Sequence, residues 1–207
     1  MRIAIIGTGN VGKALGPAFA RAGHEVNYGV RDPADPKHAG LDVRSVRNAA
    51  DWAGAIILAV NWAQVEQALA DCGDMSGKIL IDCTNPLSFR PEGIALVLGF
   101  DTSGGEIVAS RTGAKTVKTL NHIASPVMAS AHDYAARPIQ FVCGDDAGAK
   151  QAVSGLLRDI GFEPVDYGGI ANARKLEPLA ILWIDQIYGH GMNITNALTF
   201  IGPKTDG

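Results

Sequence analysis

Cysteine is scarce in this chain of 207 residues: Cys72, Cys83 and Cys143 stand far apart, with no C-x-x-C pair among them. That spacing excludes a disulfide framework and a zinc ribbon, and reads as three small buried hydrophobes. Charge of one sign is scarce too. Lys and Arg number 18 against 21 Asp and Glu, a net of -3, with the two signs interspersed. No basic face is available for nucleic acid or an anionic membrane, so the expected ligand is a small molecule. No apolar stretch approaches the ~20 residues that cross a bilayer, and no charged segment followed by an apolar one opens the sequence. The expectation is a cytoplasmic protein with neither membrane nor nucleic-acid partners. The five histidines show no pairing at helical spacing, so no metal is assigned. His24, His38, His132 and His190 read as surface or turn residues.

What the chain does have is alternation. Apolar runs rich in β-branched residues, predicted as strands at 2–6, 25–30, 55–60, 78–82, 115–120 and 139–143, are separated by helical patterns at 10–22, 62–70, 102–111 and 146–159. A short strand at 163–166 follows, and Asp145 and Asp146 are placed to cap the helix that precedes it. Pro17 predicts a kink or a register shift in the first helix. After Gly168-Gly169, apolar residues from Leu176 to Tyr188 recur at helical spacing, predicting the longest helix, through about residue 197. Its two apolar flanks suit either its own sheet or a partner copy, and a homodimer is expected. The fold class is α/β, a Rossmann-type doubly wound, mostly parallel sheet. Residues 1–169 form the dinucleotide-binding domain, and 170–207 form a small C-terminal helical extension of the same unit.

Gly7-Thr8-Gly9-Asn10-Val11-Gly12 lies directly behind the apolar run Ile3-Ala4-Ile5-Ile6 and in front of a helical pattern. In that context G-x-G-x-x-G is a dinucleotide turn. Its first glycine makes the tight bend, the second admits the pyrophosphate, and the third lets helix and strand approach. The second strand would normally end in a carboxylate that bonds the ribose hydroxyls. Here Gly29 occupies the aligned position and Arg31 follows, a pattern suited to a 2'-phosphate and to NADP. The competing register makes Asp32 the ribose carboxylate and Arg31 a surface charge.

These segments, with Val60-Asn61-Trp62, Val142-Cys143-Gly144-Asp145-Asp146, Gly161 to Gly168 and Asn172 to Leu179, resemble the NADPH-dependent oxidoreductases of coenzyme F420, an 8-hydroxy-5-deazaflavin. The resemblance runs nearly end to end. It implies NADPH along the carboxyl edge of the sheet with deazaflavin stacked over the nicotinamide. It also implies that Thr8, Asn10, Val11 and Arg31 surround the adenine nucleotide and phosphates, and that the loops at Val60 and at Asn121-His122-Ile123-Ala124 flank nicotinamide and acceptor. The chain departs from the family at Val30, where a hydroxyl residue is usual before the arginine, at Asn61, where a proline is expected, and at Asn121-His122, where a His-Thr pair is typical.

Hydride transfer between two rings needs positioning more than acid-base chemistry, so the lack of a triad is expected and no catalytic residue is assigned. Asn85-Pro86 ends a strand at the cofactor edge and reads as a ribose contact or as a plain turn. Trp62 reads as a wall of the nicotinamide pocket or as core. His122 reads as a hydrogen-bond partner of the acceptor or as a satisfied loop residue. Asn172 and Lys175 faintly resemble the catalytic pair of hydroxyacid dehydrogenases, which leaves a small reductase of that type as one alternative. A non-catalytic NADP-binding regulatory module is the other.

Overall fold

Ile3, Ala4, Ile5 and Ile6 are buried whichever way their side chains point, the signature of a parallel strand covered on both faces. The computed structural model describes residues 1–202 apart from Glu92 and Gly99. In chain order its elements are β1 (Arg2–Ile6), α1 (Asn10–Arg21), β2 (Glu25–Val30), β3 (Val43–Ser45), α2 (Val46–Trp52), β4 (Ala55–Leu58), α3 (Val65–Cys72), β5 (Ile79–Asp82), β6 (Leu87–Arg90), β7 (Gly93–Leu96), α4 (Gly104–Ser110), β8 (Lys115–Lys118), α5 (Ser125–Ser130), β9 (Ile139–Val142), α6 (Ala147–Asp159), β10 (Glu163–Asp166) and α7 (Ala173–Tyr188).

Six strands form one parallel sheet in the order β3-β2-β1-β4-β5-β8. This is the Rossmann order, with the direction of winding reversing between β1 and β4. Alternate side chains build two cores. Ile3, Ile5 and Ile57 pack with Leu15, Phe19, Val127 and Leu157 on one face. Ala4, Ile6, Ile56 and Leu58 pack with Ala49, Leu69 and Val108 on the other. No helix among the described residues is long and apolar enough to cross a membrane.

The predicted strands at 55–60 and 115–120 stop at Leu58 and Lys118. The predicted strand at 139–143 lies outside the main sheet. It pairs in parallel with β10, and the chain returns past β8 in the opposite direction, so among the described residues the two sheets share only the antiparallel bridge between Lys118 and Cys143. Two short helices, α2 and α5, and the hairpin β6–β7 were not visible in the apolar pattern, because each is too short to show a period. Asp146 caps α6 by accepting from the Ala149 amide at 2.7 Å, while Asp145 instead accepts from Ile170 at 2.9 Å. The first helix runs through Pro17 to Arg21.

The last helix is shorter than its apolar pattern predicts. It ends at Tyr188, where Gly189-His190-Gly191 follows and Gly191 takes φ +72°. It packs on α4 and β7, and the Ile139 amide donates to the Leu198 carbonyl at 2.8 Å, fastening the extension to the rest of the chain.

Candidate functional site

The turn between β1 and α1 is built so that only glycine fits where the chain crosses itself. Gly7 has φ +110°, and a Cβ there would stand 2.5 Å from the Ala59 carbonyl oxygen. A Cβ on Gly12 would stand 2.3 Å from the Gly7 oxygen. Gly9 differs, since nothing lies within 4 Å of its Cβ position. The open space at Gly9 is where a ligand backbone can approach. No side chain caps α1, whose first amides therefore remain available to an anion.

This turn borders a cavity of about 790 Å³. Gly7, Thr8 and Gly9 form one wall, Val60 and Asn61 after β4 another, and Arg31, Asp32, Lys37 and His38 beyond β2 a third. Gln64, Gln67 and Asp71 close it from the α3 side. Arg31 is exposed and makes no hydrogen bond or ion pair among the described residues. Asp32 is otherwise engaged: its carboxylate accepts from the Ala34 amide at 3.0 Å and holds a turn. A Cβ on Gly29 would meet Ile6 Cδ1 at 2.6 Å, on the α2 face, so glycine there answers to packing. Gly29 and Val30, the last residues of β2, both line the cavity, and Val30 packs on the α1 face. No carboxylate ends the strand in either register.

His38, expected at the surface or in a turn, lies in the turn Pro36–His38 but is 5% exposed, and it lines this cavity. Its Nδ1 shares a 3.4 Å hydrogen bond with Thr8 Oγ1. The sequence signal was weak, because the fold of residues 31–42 around the end of β2 has no period to read. Asp35 caps the turn carrying His38 by accepting from the Lys37 amide at 3.0 Å, and it also pairs with the Lys37 ammonium. Those two contacts hold the Asp35 carboxyl below its usual range.

A second group of expected residues meets at the carboxyl ends of β5 and β8. Asn85 Nδ2 donates to the Asn121 carbonyl at 2.7 Å, and Asn121 Nδ2 donates to Asn85 Oδ1 at 3.0 Å and to the Leu176 carbonyl at 3.1 Å. Leu120, with φ +60°, turns the chain into this arrangement. Pro86 is buried and its carbonyl accepts from Val97, so it opens the β6–β7 hairpin.

Below lies an ion cluster that sequence reasoning missed. Lys118 Nζ, fully buried, donates to Asp82 at 3.0 Å, to the Thr84 carbonyl at 2.6 Å and to Glu177 at 3.1 Å. Glu177 in turn accepts from the amides of Gly104 and Gly105 that open α4, each at 3.0 Å. Burial pulls the Lys118 ammonium down, but the two carboxylates outweigh it and raise its pKa. A lysine and a glutamate 59 positions apart in sequence give no local sign of their pairing.

Other assignments need correction. Asn10, Val11 and Gly12 form the first turn of α1; their side chains do not line the cavity, but their backbone amides open the helix beside it. Trp62 is half-buried: it packs against α4, where a Cβ on Gly104 would stand 3.0 Å from its ring, and it also lines a second cavity with Ala63, Glu66 and Leu69. Asn121, His122 and Ile123 are buried and line none of the described cavities. His122 sits against the Phe141 ring, 5.6 Å between centroids, and shares a 3.2 Å hydrogen bond with Asn121 Oδ1. Because an amide oxygen only accepts, Nδ1 carries the proton and Nε2 is left buried without a partner. Burial lowers its pKa to about 4. Lys175 is exposed, bonded to Asn172 at 3.0 Å, and lines none of these cavities either. The thiols of Cys72 and Cys143 are pushed up to about 12 by burial, which makes them inert. Among the described residues no cluster of His, Cys, Asp or Glu is arranged to hold a metal.

Residues 2–86 match the family model described as NADP oxidoreductase, coenzyme F420-dependent. The F420-dependent NADP reductase of Methanothermobacter thermautotrophicus is 30% identical over 225 aligned residues, 95% of each chain. A solved structure from Arthrobacter sp. FB24, a candidate F420-dependent NADP reductase, is 34% identical and superposes with a TM-score of 0.81 over 92% of this chain and 94% of that one. The metalloreductase STEAP3 of Rattus norvegicus is 30% identical over 87% of this chain but only 37% of its own length, so the chain spans little more than a third of that relative. A match that takes in the glycine turn, the Arg31 strand end and the Asn85 edge, joined by a relative aligned along nearly its whole length, makes this chain a member of the coenzyme F420-dependent NADP oxidoreductase family.

Proposed function

We propose that this chain is an NADP(H)-dependent oxidoreductase that moves hydride between nicotinamide and a flat acceptor, with the deazaflavin coenzyme F420 as co-substrate, and that it works as a cytoplasmic homodimer. One observation carries the cofactor reading: the cavity joins an uncapped helix N-terminus and the open space at Gly9 to the cations of Arg31 and Lys37 and the imidazole of His38, with no carboxylate at the end of β2. The first amides of α1 would hold the pyrophosphate, and Arg31 the 2'-phosphate through a charge-assisted, bidentate bond. Val60 and Asn61 would flank the cofactor toward its nicotinamide. When bound, the nicotinamide supplies the hydride.

The chain's own part is positioning. The Asn85–Asn121 pair ties the ends of β5 and β8 to α7 and fixes the shape of the nicotinamide edge. Neutral His122 supports Asn121 from behind and exchanges no proton with an acceptor. The burial of Asn121, His122 and Ile123 is the observation that favours a second reading, an NADP-binding module without turnover.

The test is to mix the purified protein with NADPH and a panel of deazaflavin, flavin and quinone acceptors and follow nicotinamide absorbance. Oxidation with deazaflavin is expected. Tight NADPH binding with no transfer to any acceptor would select the binding module instead. NADPH should bind more tightly than NADH, and Arg31→Ala should reduce that preference by about ten- to a hundredfold, the worth of a charged contact of ~1.5–3 kcal/mol. Equal affinities for the two nucleotides in the unmutated protein would overturn the cofactor reading.

A further inference from the structure

We infer that His38 is a titrating specificity determinant, which binds the 2'-phosphate as an imidazolium and makes the preference for NADP over NAD depend on pH. This rests on the proposed use of NADP and adds a residue and a regulation to it.

His38 is 95% buried, yet it lines the cavity beside Arg31. One ring nitrogen is used, by Thr8 at 3.4 Å, and Nε2 makes no hydrogen bond among the described residues. It is also absent from the buried polar atoms that lack a partner, so it keeps access to the cavity. In a neutral ring one nitrogen donates and the other accepts; protonation makes both donors. With Nδ1–H donating to the Thr8 hydroxyl oxygen, Nε2 is the free acceptor of the neutral ring, and in that tautomer the proton gained on titration is offered to the cavity.

The charged groups around it show why a third cation is useful. Arg31 and Asp32 follow β2, Asp35 and Lys37 share the turn that carries His38, and Asp71 lies across the cavity on α3. Asp35 is paired with Lys37, which takes up much of that ammonium's charge, and Asp32 is engaged by its own turn. Val30 brings no hydroxyl to the strand end. Arg31 and His38 are therefore the groups left to meet a dianion, and of these two side-chain types histidine is the one whose charge can follow pH. A bound phosphate favours the imidazolium, so NADP binding takes up a proton as pH rises through the imidazole range.

Binding is measured calorimetrically for NADP+ and NAD+ from about pH 6.5 to about pH 8.5, where the phosphate, with a second pKa of about 6, is already mostly a dianion. Affinity for NADP+ is expected to weaken by about tenfold across that range while affinity for NAD+ stays level. In H38Q, which keeps a donor but cannot titrate, the NADP+ profile should be flat. A slope that survives in H38Q overturns the role of His38 while leaving the NADP preference intact. NADP+ bound no better than NAD+ at any pH overturns the cofactor reading itself. As a check that needs no variant, the imidazole of His38 in the wild-type protein is followed by NMR. Its pKa should rise on adding NADP+ and not on adding NAD+, and an unmoved pKa would also refute the inference.

Discussion

Burial converts His122 from a group that reaches for a ligand into one that holds its neighbour. With 1% of its surface exposed and its pKa lowered to about 4 by burial, it stays neutral in the folded protein until the pH falls to that value. The consequence for stability has a definite sign. Above the ordinary histidine value of 6.5 both folded and unfolded states are neutral, and His122 contributes no pH dependence. As pH falls below 6.5 the unfolded chain takes the proton and the folded one does not, until about pH 4. Unfolding free energy should therefore drop by about 3 kcal/mol between those limits on account of this residue. Urea melts at pH 7 and pH 4 should show that drop in wild type and a smaller one in His122→Gln. Equal drops in the two would assign the loss to other groups.

At the scale of elements, the Lys118 cluster joins four pieces of chain that share no sequence neighbourhood. Lys118 ends β8, Asp82 ends β5, Glu177 lies on α7, and the amides of Gly104 and Gly105 open α4. An ammonium between two carboxylates is tolerable at this depth only because each partner is also hydrogen-bonded. Removing the cation leaves two uncompensated buried charges. Lys118→Met should cost about 3–5 kcal/mol in unfolding free energy, several times more than a surface lysine substitution such as Lys175→Met. Denaturant midpoints check this directly, and a loss below ~1 kcal/mol would show that the cluster relaxes or admits water. Lysine in the folded state is stabilised here, so its contribution is complete at neutral pH and fades only as pH rises through its raised pKa.

On the scale of the whole molecule, α7 buries one stripe, Ala173, Leu176, Glu177 and Ala180, and past Ala180 none of its residues is fully covered. Leu182 and Tyr188 on that second half are 57% and 72% exposed, and Phe200 and Ile201 beyond it are 66% and 91% exposed. An apolar surface of this kind is what a symmetric partner would cover. We expect a dimer at micromolar concentration by light scattering, shifted toward monomer in a Leu182→Glu, Tyr188→Glu double variant whose absorbance-monitored NADPH binding is unchanged. A wild-type monomer would return α7 to the sole task of covering its own sheet.

The glycine turn, the parallel β-α alternation and the basic end of β2 were legible in the chain because each is set by neighbours a few residues apart. Strand and helix periods, the space a glycine leaves and a missing carboxylate are all local properties. The role of His38, the Lys118–Asp82–Glu177 cluster, the packing of Trp62 and the burial of His122 were decided only when β2, β5, β8, α4 and α7 came together. Each depends on a partner at least 30 positions away or on exclusion from water, and neither leaves a period in the sequence. The length of α7 belongs to both levels: its apolar spacing marks a helix from Leu176, and the glycines after Tyr188 end it. Which face Gly29 and Val30 present is likewise a tertiary result, because which side of β2 meets α1 or α2 is settled by how the sheet is covered and not by counting from the turn.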